Sequence, residues 1–158
     1  MARTADDDFA AWVGPHLPAL HRYAARQVGA ADADDVLQDA LARAWRRRST
    51  YDEARGAPLP WLVAIVRDRA RRHRTRRREH LSLVDADRAV APADADPDLE
   101  RAIAMLPARQ REAVDLYYFV DLDVASVAAV MGCAPGTVRA TLHQARTSLR
   151  TLLGDDDG

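Results

Sequence analysis

Residues 124–146 read Val-Ala-Ser-Val-Ala-Ala-Val-Met-Gly-Cys-Ala-Pro-Gly-Thr-Val-Arg-Ala-Thr-Leu-His-Gln-Ala-Arg. The apolar run Val124–Met131 suits a short buried helix. Gly132 can adopt the positive φ that closes a helix. Pro135 is pre-set to open the next one, because its missing N–H is not needed in a first turn. Two helices joined by the three-residue turn Gly132–Ala134 predict a helix-turn-helix, with a plain helical hairpin as the alternative. Val138, Leu142, Ala145 and Leu149 fall on one face of the second helix. Arg139, His143, Arg146 and Arg150 are left outward, and no acid stands between Pro135 and Leu153. A helix that approaches phosphates and base edges needs that kind of surface.

Upstream of this unit, Leu99, Ile103, Met105 and Leu106 predict a short helix ending at Pro107. A longer helix follows, with Ala113, Val114, Leu116, Tyr117 and Phe119 on its apolar side. The C-terminal domain is placed at 99–153, before a short acidic tail. Residues 79–98 lack apolar periodicity, carry Pro92 and Pro97, and predict a flexible acidic linker.

The N-terminal domain is placed at 7–78. Phe9, Trp12, Val13, Leu17, Leu20 and Tyr23 recur at helical spacing, with Pro15 and Pro18 delaying the regular part. A second helix is expected to open at Asp32, capped by that residue with Asp35 as the third position of a capping box. It carries Val36, Leu37, Ala40, Leu41, Ala44 and Trp45. Pro60 is expected to start a third helix, with Trp61, Leu62, Ile65, Val66 and Ala70 inward and Arg67, Arg71, Arg74 and Arg78 outward. Trp45, Tyr51 and Trp61 sit beside these arginines, where they can either pack in the core or stack on unpaired bases.

The formal net charge of −1 conceals a strong asymmetry. Residues 41–78 hold thirteen Arg against three acids, or +10, whereas residues 1–40 carry −4 and residues 79–100 carry −6. Arginines three and four apart on one helix repel each other unless a polyanion lies opposite. The block therefore predicts nucleic-acid binding, with a solvated basic face as the plainer alternative. All 23 basic residues are Arg, in keeping with a high-GC genome, and guanidinium suits phosphate and guanine. The lone Cys133 gives no disulfide framework or multi-cysteine metal site. No stretch is long and apolar enough to span a bilayer, and no nucleophile motif or phosphate loop appears. The expectation is a cytoplasmic, all-α protein of two small helical domains, not an enzyme, with no cofactor and no metal.

Asp32-Ala-Asp-Asp-Val-Leu-Gln-Asp-Ala-Leu41, with Arg43 and Trp45, resembles the region of sigma factors that docks on RNA polymerase. Pro60-Trp-Leu-Val-Ala-Ile-Val-Arg67, leading into Arg71–Arg78, resembles the segment that recognises and melts the minus-ten element. Leu106-Pro-Ala-Arg-Gln-Arg-Glu112 and the helix-turn-helix resemble the domain that reads the minus-thirty-five element. The order and spacing resemble the extracytoplasmic-function (ECF) group of the sigma-70 family. The resemblance implies promoter-specific transcription initiation with core RNA polymerase (β′ and β subunits) and promoter DNA, usually under an anti-sigma factor. It implies core docking through Asp35, Gln38, Asp39 and Leu41. It implies minus-ten contact through Trp61, Arg67, Arg71, Arg74 and Arg78, and minus-thirty-five contact through Thr137, Arg139, Thr141, His143 and Arg146. An operator-binding regulator that does not dock on polymerase, or a sigma-like decoy, are the alternatives. The chain departs from the family pattern at Asp68 (usually Asn), Arg72 (usually Asp), Ser126 (usually Glu) and Tyr117 (often basic).

Overall fold

The computed structural model describes residues 5–80 and 94–154, all in helices and connecting turns with no strand among them. They fall into two compact units that divide near residue 89.

In the first unit α1 (Ala5–Val13) leads through a 3-10 turn at Gly14–His16 into α2 (Leu17–Val28). The turn falls where Pro15 and Pro18 interrupt the α pattern. Then follow α3 (Ala30–Arg46) and α4 (Pro58–His80), joined by two short 3-10 turns. Helices α2, α3 and α4 pack against one another around Leu20, Tyr23, Val36, Leu62, Val63 and Val66, all nearly or fully buried. Ala24, Ala33, Ala40, Ala44 and Ala70 lie in the same core. Their small side chains let the helix axes approach closely, and each large aliphatic buried there contributes about 1.5–3 kcal/mol.

Two sequence expectations are corrected here. Helix α3 opens at Gly29, whose φ of 87° no other residue adopts easily, and no side chain caps it. Asp32 is the third residue of the helix, and its carboxylate reaches across to α4 instead of back to its own backbone. The His73 imidazole and the Arg77 guanidinium of α4 offer it two partners, against one N–H of its own turn. Helix α4 starts at Pro58, not Pro60. Both prolines sit in the first turn, where the N–H groups have no intrahelical partner to lose.

The second unit contains α5 (Pro97–Met105), α6 (Ala108–Val114), α7 (Val124–Met131) and α8 (Pro135–Leu153). Asp96 caps α5, accepting from the backbone N–H of Asp98 at 2.9 Å, and Pro97 follows at the first helical position. Asp123 caps α7 in the same way, accepting from Ser126 N–H at 2.7 Å. Helices α5, α6 and α7 pack on α8, which buries Val138, Leu142 and Ala145 and partly covers Leu149. Met105 does not join this core and is 65% exposed.

The helix begun by α6 does not stop at Val114. It widens into a π turn over Asp115–Phe119 and closes through Asp121, which holds the left-handed conformation at φ 62°. Gly132 does the same for α7 at φ 69°, with Cys133 N–H returning to Ala128 O at 3.1 Å. The segment assigned to a linker begins and ends inside helices, since residues 79–80 belong to α4 and 97–98 to α5. Residues 81–93 lie outside the described residues. No described helix is long and apolar enough to cross a membrane.

Candidate nucleic-acid and partner interfaces

Asp35, Gln38 and Asp39 are exposed along one side of α3, and Leu41 is half-buried. Gln38 and Leu41 border an open, largely apolar groove between α2 and α3, completed by Leu17, Pro18, His21 and Leu37. His21 Nε2 and Asp34 Oδ1, 3.1 Å apart, pair the two walls. Asp39 Oδ2 lies 3.6 Å from Arg69 Nη1 of α4, and the Asp39 side chain stays about half exposed.

Helix α4 is apolar in its first half and basic in its second, because Pro58–Val66 pack inward before eight arginines follow between 67 and 78. The arginines are not equivalent. Arg71 and Arg78 are exposed, and Arg67 is half-buried. Arg74 donates from Nη1 to Gln27 Oε1 at 2.9 Å and more weakly to the Gln27 carbonyl, so it is held against α2 instead of standing in the outward row. His73 and Arg77 both meet Asp32 Oδ2, at 3.1 and 2.5 Å. Arg69 is only 11% exposed, lies between Asp39 and Asp68, and leaves its Nε buried without a partner. Beside it, Arg43, Arg47, Trp61, Ala64, Ile65 and Asp68 line a small concavity between α3 and α4. The guanidinium of Arg69, together with desolvation and Arg47, pushes Arg43 below the usual arginine range, while Asp68 opposes them.

Phe9, Trp12, Trp45, Tyr51 and Trp61 form one cluster. Trp12 meets Phe9, Tyr51 and Trp61 at ring-centroid distances of 5.9, 5.2 and 5.9 Å. Trp45 is edge-on to Phe9, and the Arg48 guanidinium lies 3.6 Å over the Trp45 ring. Tyr51 also donates its hydroxyl to the Gly56 carbonyl at 2.8 Å, which ties down the loop between α3 and α4. These contacts favour packing over stacking on bases for Trp45, Tyr51 and Trp61 as they stand.

On α8, Thr137, Arg139, His143, Arg146 and Arg150 are exposed and Thr141 is half-buried, with its hydroxyl donating to Thr137 O at 2.8 Å. Arg109 reaches the Met131 carbonyl at 3.5 Å and Arg111 the Ala104 carbonyl at 3.1 Å. Each thus satisfies the C-terminal end of another helix, α7 and α5.

The first unit, with its acidic helix α3 beside the basic helix α4, and the second unit, with its helix-turn-helix, match two family models. Residues 12–80 match the sigma-70 region 2 model. Residues 97–149 match the sigma-70 region 4 model. The chain belongs to the sigma-70 family. ECF sigma factor SigL of Mycobacterium tuberculosis is 32% identical over 149 residues, covering 87% of this chain and 84% of that protein. Sigma factor CarQ of Myxococcus xanthus is 32% identical, covering 96% and 92%. Among solved structures, sigma factor RpoE of Bartonella quintana, in complex with the anti-sigma factor NepR, superposes with a TM-score of 0.80. It is 28% identical and covers 94% of this chain and 98% of its own. CnrH, in complex with the cytosolic domain of CnrY, superposes with a TM-score of 0.71 at 25% identity, covering 94% and 89%.

Within this sigma factor, two departures from the family pattern meet. Asp68 Oδ2 is 3.5 Å from Arg72 Nε, one turn along α4, and 3.1 Å from Arg69 Nη2. Asp68 by itself would set a lone acid in the arginine-rich half of α4. Together they make an ion pair. The spacing of four was visible in the sequence, whereas the contributions of Gln27 and Asp32 cross between helices and had no local signal.

Proposed function

We propose that this ECF sigma factor binds core RNA polymerase and directs promoter-specific initiation under the control of an anti-sigma factor. The observation that supports it best is the adjacency of opposite surfaces in the first unit, where exposed Asp35 and Gln38 on α3 accompany exposed Arg71 and Arg78 on α4. A protein that only bound operators would have no use for the first of these surfaces. In this reading Asp35, Gln38, Asp39 and Leu41 serve the polymerase, and Arg67, Arg71 and Arg78 follow the minus-ten strand backbone. Arg74 and Trp61 hold that region in shape. Thr137, Arg139, Thr141 and His143 read the minus-thirty-five major groove, with Arg146 on phosphate. The work is done in the cytoplasm and involves binding and orientation, without a covalent step of its own.

Reconstitution with core polymerase tests this. Core binding together with initiation from a defined set of genomic promoters is the expected result. Stable core binding without initiation would make the chain a decoy, and duplex binding without core association would make it an operator regulator.

A further inference from the structure

The exposed face of α8 has one contact with a neighbouring helix that its predicted role does not account for. Arg146 Nη1 donates to the Tyr118 hydroxyl at 3.0 Å, from the middle of α8 to the π turn that follows α6. Tyr118 is 46% exposed, although the residues around it supply the core. Tyr117 meets its ring edge-on at a centroid distance of 4.9 Å, which fixes the ring direction. The hydroxyl oxygen accepts from Arg146, and its own proton has no other polar partner among the described residues. Arg146 likewise keeps its remaining N–H groups, with no acid within its own helix. Arg139, His143 and Arg150 continue the same exposed side of α8. A π turn carries one more residue than an α turn, so it re-aims the side chains it holds, and such turns concentrate at functional sites.

We propose that Tyr118 and Arg146 form a two-pronged site for a single backbone phosphate of duplex DNA. The guanidinium donates to one phosphate oxygen and, through its other N–H, holds the phenol so that the O–H donates to a second. The pairing extends the DNA-facing surface from α8 onto a neighbouring helix, where the sequence had given Tyr118 no part. It rests on the reading of α8 as the duplex-facing helix. Tyrosine hydroxyls are regular partners of phosphate, and a ring already fixed by its neighbours loses little freedom on binding.

The test is full-length protein titrated against a labelled random-sequence duplex over a range of salt concentrations, as wild type, Tyr118→Phe, Arg146→Ala and the double variant. Tyr118→Phe should weaken binding about three- to tenfold, the loss of one hydrogen bond, with an unchanged salt slope because no charge is removed. Arg146→Ala should weaken binding and flatten the slope by about 0.9. In the Arg146→Ala background, Tyr118→Phe should change affinity far less than it does in wild type, since both groups hold one phosphate. Equal losses in both backgrounds would overturn the shared site. Wild-type affinity for Tyr118→Phe, with Arg146→Ala weakened, would remove Tyr118 alone. An unaffected Arg146→Ala would remove the duplex-facing assignment of this part of α8 and the proposal with it.

Discussion

Asp32 on the acidic helix α3 and Arg77 on the basic helix α4 are joined by a hydrogen bond of 2.5 Å, and His73 shares the same carboxylate oxygen. The contact spans 45 residues of sequence and lies on the half of α4 that is too basic to be held by apolar packing. Replacing Asp32 with Ala should lower stability by about 1–2 kcal/mol, since the pair is partly exposed and its partners can turn to water. A double-mutant cycle with Arg77→Ala checks it in urea unfolding. A coupling energy indistinguishable from zero would show that the two helices do not depend on this link.

Gly132 and Asp121, both left-handed at the end of a helix, should respond in opposite ways. Gly132→Ala meets no atom within 4 Å of the new Cβ, so its cost comes from φ alone, about 1–2 kcal/mol. Asp121 already bears such a cost at φ 62°, and Asp121→Gly should recover about 0.5–1 kcal/mol. Thermal unfolding of the two variants, read as shifts of opposite sign, decides the matter.

Asp123 links stability to pH. The backbone N–H of Ser126, and then its hydroxyl, hold the carboxyl below its ordinary value. A carboxylate depressed in the folded state stabilises the fold at pH above its unfolded pKa of about 3.9, and that contribution fades as pH falls through the lower folded value. Asp123→Ala should therefore unfold at a lower urea concentration than wild type at neutral pH. The gap should close in acid, and one that stayed constant down to acid pH would contradict the assignment.

The arginines of α4 should separate in a salt titration of DNA binding. Arg71→Ala, which removes an exposed charge, should reduce affinity and flatten the salt slope by about 0.7–0.9 according to whether single or double strand is bound. Arg74→Ala should instead cost mainly stability, because its side chain is engaged with Gln27. Equal slopes for Arg71→Ala and wild type would place Arg71 away from phosphate.

On α8, Arg139→Ala should narrow the difference between cognate and mutated minus-thirty-five elements by about 1–3 kcal/mol, one bidentate base contact. Competition between promoters in a reconstituted initiation assay measures it. Unchanged preference would take Arg139 off the reading surface.

The helix-turn-helix was the most legible part of the chain because its signals are local. Gly132 and Pro135 each dictate backbone geometry at their own position, and the spacing of Val138, Leu142 and Ala145 follows from the helix repeat. The start of α3 was misread for a related reason. Asp32 satisfies a local capping rule, but two side-chain partners 41 and 45 residues away, His73 and Arg77, outweigh that rule. The π turn at Asp115–Phe119 was invisible because its sequence, Asp-Leu-Tyr-Tyr-Phe, suits an ordinary helix equally well. The outward row expected on α4 holds for Arg71 and Arg78, whereas Arg74 is drawn against Gln27 of α2, a partner that periodicity within α4 cannot reveal.

Helix α4 owes its positive charge to guanidinium alone among long-chain cations. An arginine face does not titrate at any pH a cell experiences, and it has no amine for an acetyl group to cap. Its strength is therefore set once, at synthesis, and can be turned down only by something laid over it. For a protein whose activity has to be switched, that favours control by a removable acidic cover rather than by chemical editing of the surface itself.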